Sequence, residues 1–232
     1  MTPTNFQQNL LTWFDLYGRK DLPWQHPAKA YPVWVSEIML QQTQVVTVIP
    51  YFNKFIQQYP DIQALANAPL DEVLSQWAGL GYYARARNLH KTAIIINQSG
   101  HFPDSLAELV ALPGIGASTA GAILSIAFNQ SQAILDGNVR RVLARYKAIQ
   151  GWTGGTQVNK QLWEISARYT PEIRVADYTQ AIMDLGATIC TRSKPRCTEC
   201  PLQSDCLALQ QQRVHELPTA KPRKKIFVKQ SV

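Results

Sequence analysis

The chain contains four cysteines, and all of them lie in one short segment near its C-terminal end: Cys190, Cys197, Cys200 and Cys206. A disulfide framework in a chain of 232 residues would spread its cysteines so that they close large loops. Four thiolates on one turn-rich loop instead predict a single metal centre. Zinc also accepts four sulfurs, but a zinc ribbon separates two Cys-x-x-Cys pairs by a long excursion that this loop lacks. The uneven spacing therefore favours an iron–sulfur cubane, and unliganded cysteines are the alternative.

Apolar residues recur at helical spacing through almost the whole sequence, and no segment alternates for long enough to build a sheet. We therefore expect an all-α fold. Neither a signal sequence nor an apolar run of membrane-spanning length is visible, so we expect a protein of the reducing cytoplasm that does not contact a membrane. The predicted helices are Phe6–Gly18, Val33–Val48, Pro50–Gln58, Asp71–Gly79, Ala84–Gln98, Ser105–Leu112, Ala117–Phe128, Asn138–Ala148, Asn159–Ala167 and Asp177–Ile189.

The net charge of +7 is concentrated at the C-terminal end. Residues 213–232 carry +5, which leaves only +2 for the rest of the chain. Binding to nucleic acid would therefore depend on local basic patches, although each patch could also be a solvated helix face. The patches are Arg85, Arg87 and Lys91; Arg140, Arg141, Arg145 and Lys147; and Arg192, Lys194 and Arg196.

The segment Leu112-Pro-Gly-Ile-Gly-Ala-Ser-Thr-Ala lies between two predicted helices. Its glycines, Gly114 and Gly116, predict a tight hairpin that exposes backbone N–H groups at the start of the next helix. Unpaired amides and the helix dipole would both favour a phosphate there. The pattern is typical of a helix–hairpin–helix element, and an ordinary corner between two helices is the alternative.

Two carboxylates stand in contrasting sequence contexts. Asp136 immediately precedes a predicted helix, where backbone N–H donors would keep it ionised; a simple capping role is the alternative. Glu37 has apolar neighbours, and burial there would raise its pKa, unless its helix face is solvated. One neutral and one ionised carboxyl group would suit hydrolysis of a glycosidic bond.

Two further segments could contact bases. Leu80 and Tyr82 lie in a glycine-rich turn before an arginine-bearing helix, so that they could enter a base stack, while Arg85 could contact phosphate. Packing in the core is an equal possibility for at least one tyrosine of this turn. Gln42 and Thr43 could reach base edges or simply form an exposed face.

Taken together, these segments resemble the endonuclease III superfamily of helix–hairpin–helix DNA glycosylases, and within it the MutY family of adenine DNA glycosylases. The resemblance extends from about Trp13 to Cys206 and includes several long motifs in the same order. They are Leu-Pro-Trp-Gln from 22, Val-Ser-Glu-Ile-Met-Leu-Gln-Gln-Thr-Gln-Val from 35, Gly-Leu-Gly-Tyr-Tyr-Ala-Arg-Ala-Arg-Asn-Leu from 79, the hairpin from 112, Leu-Asp-Gly-Asn-Val from 135 and the cysteine spacing.

The resemblance implies two helical subdomains with the active-site cleft between them and a 4Fe-4S cluster as cofactor. Residues 1–27 would form an N-terminal helix and loop that pack on the cluster domain. Residues 28–134 would form a six-helix barrel with the helix–hairpin–helix at about 105–128. Residues 135–212 would form the iron–sulfur domain, and residues 213–232 a basic linker or tail.

The resemblance also implies roles for individual residues. Glu37 would be the general acid that protonates adenine, Asp136 would stabilise or trap the sugar cation, and Asn138 would lie beside it. Trp24 and Asp184 would line the adenine pocket. The DNA contacts would come from Gln42, Thr43, Leu80, Tyr82, Arg85, Gly114, Gly116, Ser118, Thr119 and Arg140.

The family resemblance further implies base excision from double-stranded DNA in which adenine faces 8-oxoguanine or guanine. We expect a monomer in the cytoplasm, associated with the nucleoid. Relatives that cleave the strand carry a nucleophilic lysine where this chain has Ser118, and serine cannot form a Schiff base, so we expect no lyase step. Family members usually continue into a Nudix-like domain, and because this chain ends at Val232 we expect weaker discrimination between the two partner bases. The alternatives are a glycosylase/lyase of the endonuclease III type and a non-catalytic iron–sulfur DNA-binding module.

Overall fold

A computed structural model of the protein describes residues 2–222. Within that range the chain is helical, its only strand-like pairing is an isolated bridge between Trp152 and Thr219, and the expected all-α fold is confirmed. The α-helices are α1 (Pro3–Tyr17), α2 (Ala30–Leu40), α3 (Val45–Gln58), α4 (Ile62–Asn67), α5 (Leu70–Gln76), α6 (Ala84–Ser99), α7 (Leu106–Ala111), α8 (Ala117–Phe128), α9 (Gly137–Tyr146), α10 (Thr156–Tyr169), α11 (Val175–Asp184) and α12 (Leu207–Gln210). A π-helical turn (Leu185–Ile189) follows α11, and two 3-10 turns (Cys197–Glu199 and Gln203–Asp205) lie in the cysteine loop.

The buried apolar side chains form two main clusters. The first contains residues of α2 to α8 together with Leu22 and Trp24. The second contains α1 and the segment from Ala122 to Leu202, which includes α9, α10 and α11. Helix α8 contributes to both, since it packs against α2 on one side and against α11 on the other. A Cβ atom at Gly121 would collide with the carbonyl oxygen of Ala133, so glycine allows the chain after α8 to pass directly over this helix.

The N-terminal segment spans both clusters. Helix α1 buries Phe6 and Leu10 in the second cluster, whereas Trp24, in the loop that follows, packs edge-on against Phe52 in the first. The loop is held at its start by Arg19, whose backbone N–H and guanidinium both donate to the buried carboxylate of Asp184. Residues 18–27 thus connect the two halves of the molecule.

One predicted helix is wrong in its bounds. The apolar pattern predicted a single helix over Val33–Val48 and a second one beginning at Pro50. The structure instead ends α2 at Leu40 and begins α3 at Val45, because Gln42 adopts a left-handed conformation with φ of 60°. Pro50 therefore lies inside α3, where it has no N–H to donate to the carbonyl of Val46. The short helix α4, which Asp61 caps, was not predicted.

Residues 213–222, which the sequence assigned to a basic tail, begin as a packed segment. Val214 and Leu217 are buried with Ala208 in a third, small cluster beside the cysteine loop. Residues 223–232 of the predicted tail lie outside the described part of the chain. Within residues 2–222, no helix is long and apolar enough to cross a membrane.

Candidate active site

Glu37 lies near the C-terminal end of α2, a helix whose neighbouring residues Trp34, Val35 and Ile38 are buried. Within residues 2–222, no group donates a hydrogen bond to its half-buried carboxyl group. Burial, with a smaller contribution from the charge of Asp136, raises the pKa of Glu37 to about 8. The expectation of an acid that holds its proton near neutral pH is therefore consistent with the geometry of α2.

Asp136 is the N-cap of α9. Its Oδ1 accepts from the backbone N–H of Val139 at 2.8 Å, and its Oδ2 accepts from the side-chain amide of Asn138 at 3.3 Å. Burial raises the pKa of Asp136 above its ordinary value, while these hydrogen bonds and the charge of Arg141 act in the opposite direction. The sequence argument assumed that the capping hydrogen bonds alone keep Asp136 ionised. In the structure, burial opposes these bonds, so the cap alone does not decide the protonation state of Asp136.

The two carboxyl groups are near enough to interact electrostatically, since the charge of Asp136 raises the pKa of Glu37. Only one of the two receives hydrogen bonds that stabilise an anion. The hydrogen bonds from Val139 and Asn138 therefore favour Asp136 over Glu37 as the ionised member of the pair. This division of roles is the one that an acid-assisted cleavage of a glycosidic bond needs.

Asn138 is held by residues beyond the site. Its Oδ1 accepts from the guanidinium of Arg141 at 2.8 Å, and Arg141 also donates to the carbonyls of Gly186 and Cys190. A Cβ atom at Gly186 would lie 2.6 Å from the Cβ of Asn138, so that glycine in the π-helical turn leaves room for the amide. Arg141, which the sequence placed only in a basic patch, thus connects α9 to the first cysteine.

The four cysteines line one small cavity of about 30 Å³. Within residues 2–222, no three metal-ligating side chains converge closely enough to hold a single ion. Thiols that are spread around a cavity fit a cluster of several metal atoms better than one zinc ion. Burial raises the pKa of the Cys200 thiol to about 12, so ligation to a positively charged group would be needed to keep it deprotonated.

Arg145 fastens the cysteine loop from the side of α9. It is buried, and its guanidinium donates to the carbonyls of Thr191, Arg192 and Leu217 and to the sulfur of Cys190. The sequence had placed this residue in a basic surface patch. The residue type does not distinguish a buried arginine from an exposed one. Only the helical periodicity of α9 could have indicated that the Arg145 side chain points into the protein.

The hairpin between α7 and α8 has the predicted geometry. Gly114 adopts φ of +80°, and a Cβ atom there would lie 2.8 Å from the side chain of Asn88, so both conformation and space require glycine. Gly116 is the N-cap of α8, and both glycines are exposed. Ser118 accepts a hydrogen bond from the backbone N–H of Leu135 at 3.0 Å, and thereby supports the residue before Asp136. The Thr119 hydroxyl accepts from Gln41 at 3.4 Å.

Two loops present side chains to solvent near this hairpin. Gln42 and Tyr82 are exposed, and both adopt the left-handed conformation that non-glycine residues rarely use, with φ of 60° and 51°. Thr43 is half-buried beside Gln42. Leu80, in contrast, is 6 % exposed and packs in the first cluster, so in this conformation its side chain is part of the core.

Four predicted contact residues have internal partners. Arg85 and Arg140 donate from their guanidinium groups to protein acceptors, for Arg140 the carbonyl of Thr153 and the side chain of Asn159. Asp184 is fully buried and pairs with Arg19, and Trp24 is 3 % exposed within the first cluster. Arg85, Asp184 and Trp24 are buried and not open to a ligand in this conformation, whereas Arg140 is half-buried.

Comparison with protein families matches residues 35–168 to the HhH-GPD superfamily base excision DNA repair protein and residues 190–206 to the iron–sulfur binding domain of endonuclease III. The chain is 48 % identical over 231 residues to the adenine DNA glycosylase of Buchnera aphidicola subsp. Baizongia pistaciae, and the match covers 99 % of this chain and 65 % of that protein. It is 45 % identical over 227 residues to the adenine DNA glycosylase of Homo sapiens, which covers 92 % of this chain and 41 % of the human protein. The chain therefore spans less than two thirds of the length of these relatives.

Among solved structures, a thermostable thymine-DNA glycosylase superimposes with a TM-score of 0.78 at 27 % identity, covering 90 % of this chain and 97 % of that one. Endonuclease III in a non-covalent DNA complex superimposes with a TM-score of 0.75 at 20 % identity, covering 91 % and 98 %. At this identity the second likeness concerns the fold alone.

Proposed function

The chain belongs to the HhH-GPD superfamily of base excision DNA repair proteins, and we propose that it is a monofunctional adenine DNA glycosylase. Its reaction would be hydrolysis of the bond between adenine and deoxyribose where adenine faces 8-oxoguanine or guanine in duplex DNA. The observation that carries the proposal is that the charge of Asp136 raises the pKa of Glu37, while only Asp136 accepts hydrogen bonds that would stabilise its anion. The curated relatives named as adenine DNA glycosylases support the choice of base.

In the proposed mechanism, the adenine leaves the base stack and enters the cleft. Glu37 donates its proton to N7 of the base, which makes the base a better leaving group. As the glycosidic bond lengthens, positive charge develops on the sugar, and the ionised Asp136 stabilises or traps it. Asn138 keeps Asp136 in place through the bond to its Oδ2.

The exposed amides of the hairpin would hold a phosphate beside the flipped nucleotide, because Gly114, Gly116 and the start of α8 combine free N–H groups with the helix dipole. Tyr82, Gln42 and Thr43 would contact the base stack and the partner base. Leu80, Arg85 and Arg140 would support these contacts from behind, since their side chains are already engaged within the protein. Trp24 and Asp184 would shape the adenine pocket in the same indirect way.

The four cysteines bind a 4Fe-4S cluster. When bound, the cluster supplies positively charged iron that keeps the thiolates deprotonated and cross-links the loop. Arg145 and Arg141 hold the backbone of the same loop, so the basic side chains of Arg192 and Lys194 are carried on a fixed segment that could face DNA.

A glycosylase with lyase activity is the second candidate, because the superfamily contains both kinds of enzyme. Ser118 disfavours it, since the hydroxyl cannot form a Schiff base and already accepts from Leu135. Borohydride should therefore trap no stoichiometric covalent adduct between the protein and its DNA substrate. Accumulation of such an adduct would favour the second candidate.

The proposal is tested by incubating the chain with duplexes that carry adenine opposite 8-oxoguanine, guanine, thymine or cytosine, followed by alkali. We expect strand breaks at adenine opposite 8-oxoguanine and guanine, and breaks only after alkali. Single-turnover rates would measure the discrimination between these two partners. Failure to release adenine from any of the duplexes would contradict the proposed function.

A further inference from the structure

Both terminal nitrogens of the Arg85 guanidinium donate to several acceptors, whereas its buried Nε has no hydrogen-bond partner within residues 2–222. Arg85 is 8 % exposed, near the start of α6, and its guanidinium lies over the rings of Trp77 and Tyr82 at 5.4 and 5.6 Å. One terminal nitrogen donates to the carbonyls of Ile38 and Met39 at 3.0 and 2.7 Å. The remaining bonds go to the Gln41 carbonyl at 2.7 Å, the Thr43 hydroxyl at 3.2 Å, the Leu80 carbonyl at 3.2 Å and the Gly81 carbonyl at 3.1 Å.

These acceptors belong to two loops that are far apart in sequence. Ile38, Met39 and Gln41 form the C-terminal end of α2, the helix that carries Glu37, and their carbonyls lack partners within the helix. A cation at a helix C-terminus also interacts favourably with the helix dipole. The Leu80 and Gly81 carbonyls belong to the turn that presents Tyr82. Arg85 therefore connects the helix of the acid to the turn of the exposed tyrosine.

Both loops contain a residue in a costly backbone conformation. Gln42 and Tyr82 have φ of 60° and 51°, and non-glycine residues in this region persist only where surrounding contacts fix them. In each loop, residues next to the strained one accept hydrogen bonds from Arg85, in addition to the Gln41–Thr119 bond in the first loop and the Trp77–Gly81 bond in the second. A lysine could keep the charge, but its single ammonium group lacks the two terminal NH2 groups with which the planar guanidinium donates to both loops.

We propose that Arg85 is a positioning residue that locks the 41–43 loop and the 80–82 turn to each other and to the end of α2. The exposed side chains of Gln42 and Tyr82 would then meet the DNA at a fixed distance from Glu37. Direct contact of Arg85 with phosphate, the role that the sequence favoured, is incompatible with its burial and its six acceptors. The consequence for catalysis rests on the proposed function, whereas the coupling of the two loops does not.

The coupling is tested by hydrogen exchange of backbone amides in the free protein, compared between wild type and Arg85→Lys. We expect faster exchange in both loops and unchanged exchange in the hairpin around Gly114. Arg168→Lys, a matched change at an exposed position of α10, should leave all three segments unchanged.

Thr43→Val is a second variant, for use if Arg85→Lys does not fold. It leaves the buried guanidinium of Arg85 in place, so we expect it to retain the fold. It removes one acceptor on the first loop, and we expect it to increase exchange at Leu80 to Tyr82, on the other loop. The two loops are connected here through the guanidinium, so this transmitted effect is specific to the proposed lock. Unchanged exchange in the 80–82 turn of a folded Thr43→Val protein would overturn the proposal.

The catalytic consequence is measured by single-turnover excision. Misplacement of reacting groups by about 1 Å costs about a hundredfold in rate, and we expect a loss of this order for Arg85→Lys. Its pH–rate profile should keep the wild-type shape, because Glu37 and Asp136 are intact. A wild-type rate in Arg85→Lys would overturn the positioning role. If the wild-type chain excises no base at all, the proposed function fails, while the exchange experiment still decides on the lock.

Discussion

At the scale of single residues, the Asp136 side chain combines a structural role and a proposed catalytic role. It caps α9 through the N–H of Val139, and its charge raises the pKa of the acid Glu37. A cap depends on a side-chain oxygen, whereas stabilisation of a sugar cation depends on charge. The two roles can therefore be separated by a substitution that keeps the oxygen and removes the charge.

We predict that Asp136→Asn keeps the stability of the protein but lowers excision by about a hundredfold or more, because asparagine caps as well as aspartate and carries no charge. Thermal unfolding and single-turnover excision would be measured on the same preparation. Asp61→Asn, the same change at the cap of α4, should affect neither quantity strongly. An excision rate near that of wild type in Asp136→Asn would reduce Asp136 to a structural cap.

The sequence was informative for residues whose chemistry is unusual in their local context. Glu37 in an apolar helix and Asp136 before a helix could both be found, and in the structure the charge of Asp136 raises the pKa of Glu37. Arg85, Arg141 and Arg145 could not be assigned correctly, since the acceptors of a buried arginine lie in other segments. Sequence patterns report which residue types are near each other along the chain, whereas these guanidinium groups depend on tertiary contacts.

At the scale of elements, the cysteine loop and α9 form one unit. Arg145 and Arg141 reach from consecutive turns of α9 to the carbonyls of the loop. The bounds of α8 were predicted correctly, whereas the break between α2 and α3 was missed, because apolar residues continue across it. Gln42 is left-handed at this break, and its neighbours Gln41 and Thr43 accept hydrogen bonds from Arg85, a tertiary contact that local propensity does not contain.

We predict that Cys200→Ser lowers the iron content and the thermal stability of the protein and weakens its affinity for duplex DNA, because the loop loses a ligand of its cluster. Thr198→Ser changes an exposed residue of the same loop and serves as the control. Iron per chain, visible absorbance, melting temperature and DNA affinity would be compared. Full iron content with unchanged stability in Cys200→Ser would show that this cysteine is not a ligand.

At the scale of the whole molecule, two apolar clusters share α8 and are joined by the loop after α1. The sequence indicated a division near residue 134, but it did not show that the N-terminal segment contributes to both halves. The Arg19–Asp184 pair fixes this segment, with the carboxylate buried and the arginine 28 % exposed on its side chain. Because Asp184 also accepts from the backbone and from Gln180, the pair is part of a satisfied network.

We predict that Asp184→Asn destabilises the protein by about 2 kcal/mol, since a buried charged acceptor loses its charge-assisted hydrogen bonds. Asp177→Asn lies on the same helix in an exposed ion pair with Arg174, and it should cost less than about 1 kcal/mol. Urea unfolding of both variants would give the difference. Equal stability of the two variants would contradict the view that the N-terminal loop is fastened through Asp184.

The central claim is that Glu37 holds the catalytic proton beside an ionised Asp136, and the pH dependence of single-turnover excision tests it most directly. The acid is active only when protonated, so its contribution is present below its pKa of about 8 and is lost as the pH rises through that value. We predict a rate that falls about tenfold per pH unit on the alkaline side. We further predict a loss of about a thousandfold in Glu37→Gln, with DNA affinity retained, and wild-type behaviour in Glu164→Gln, an exposed position of α10. A rate that stays constant to well above pH 8, or a Glu37→Gln variant as fast as wild type, would contradict the account.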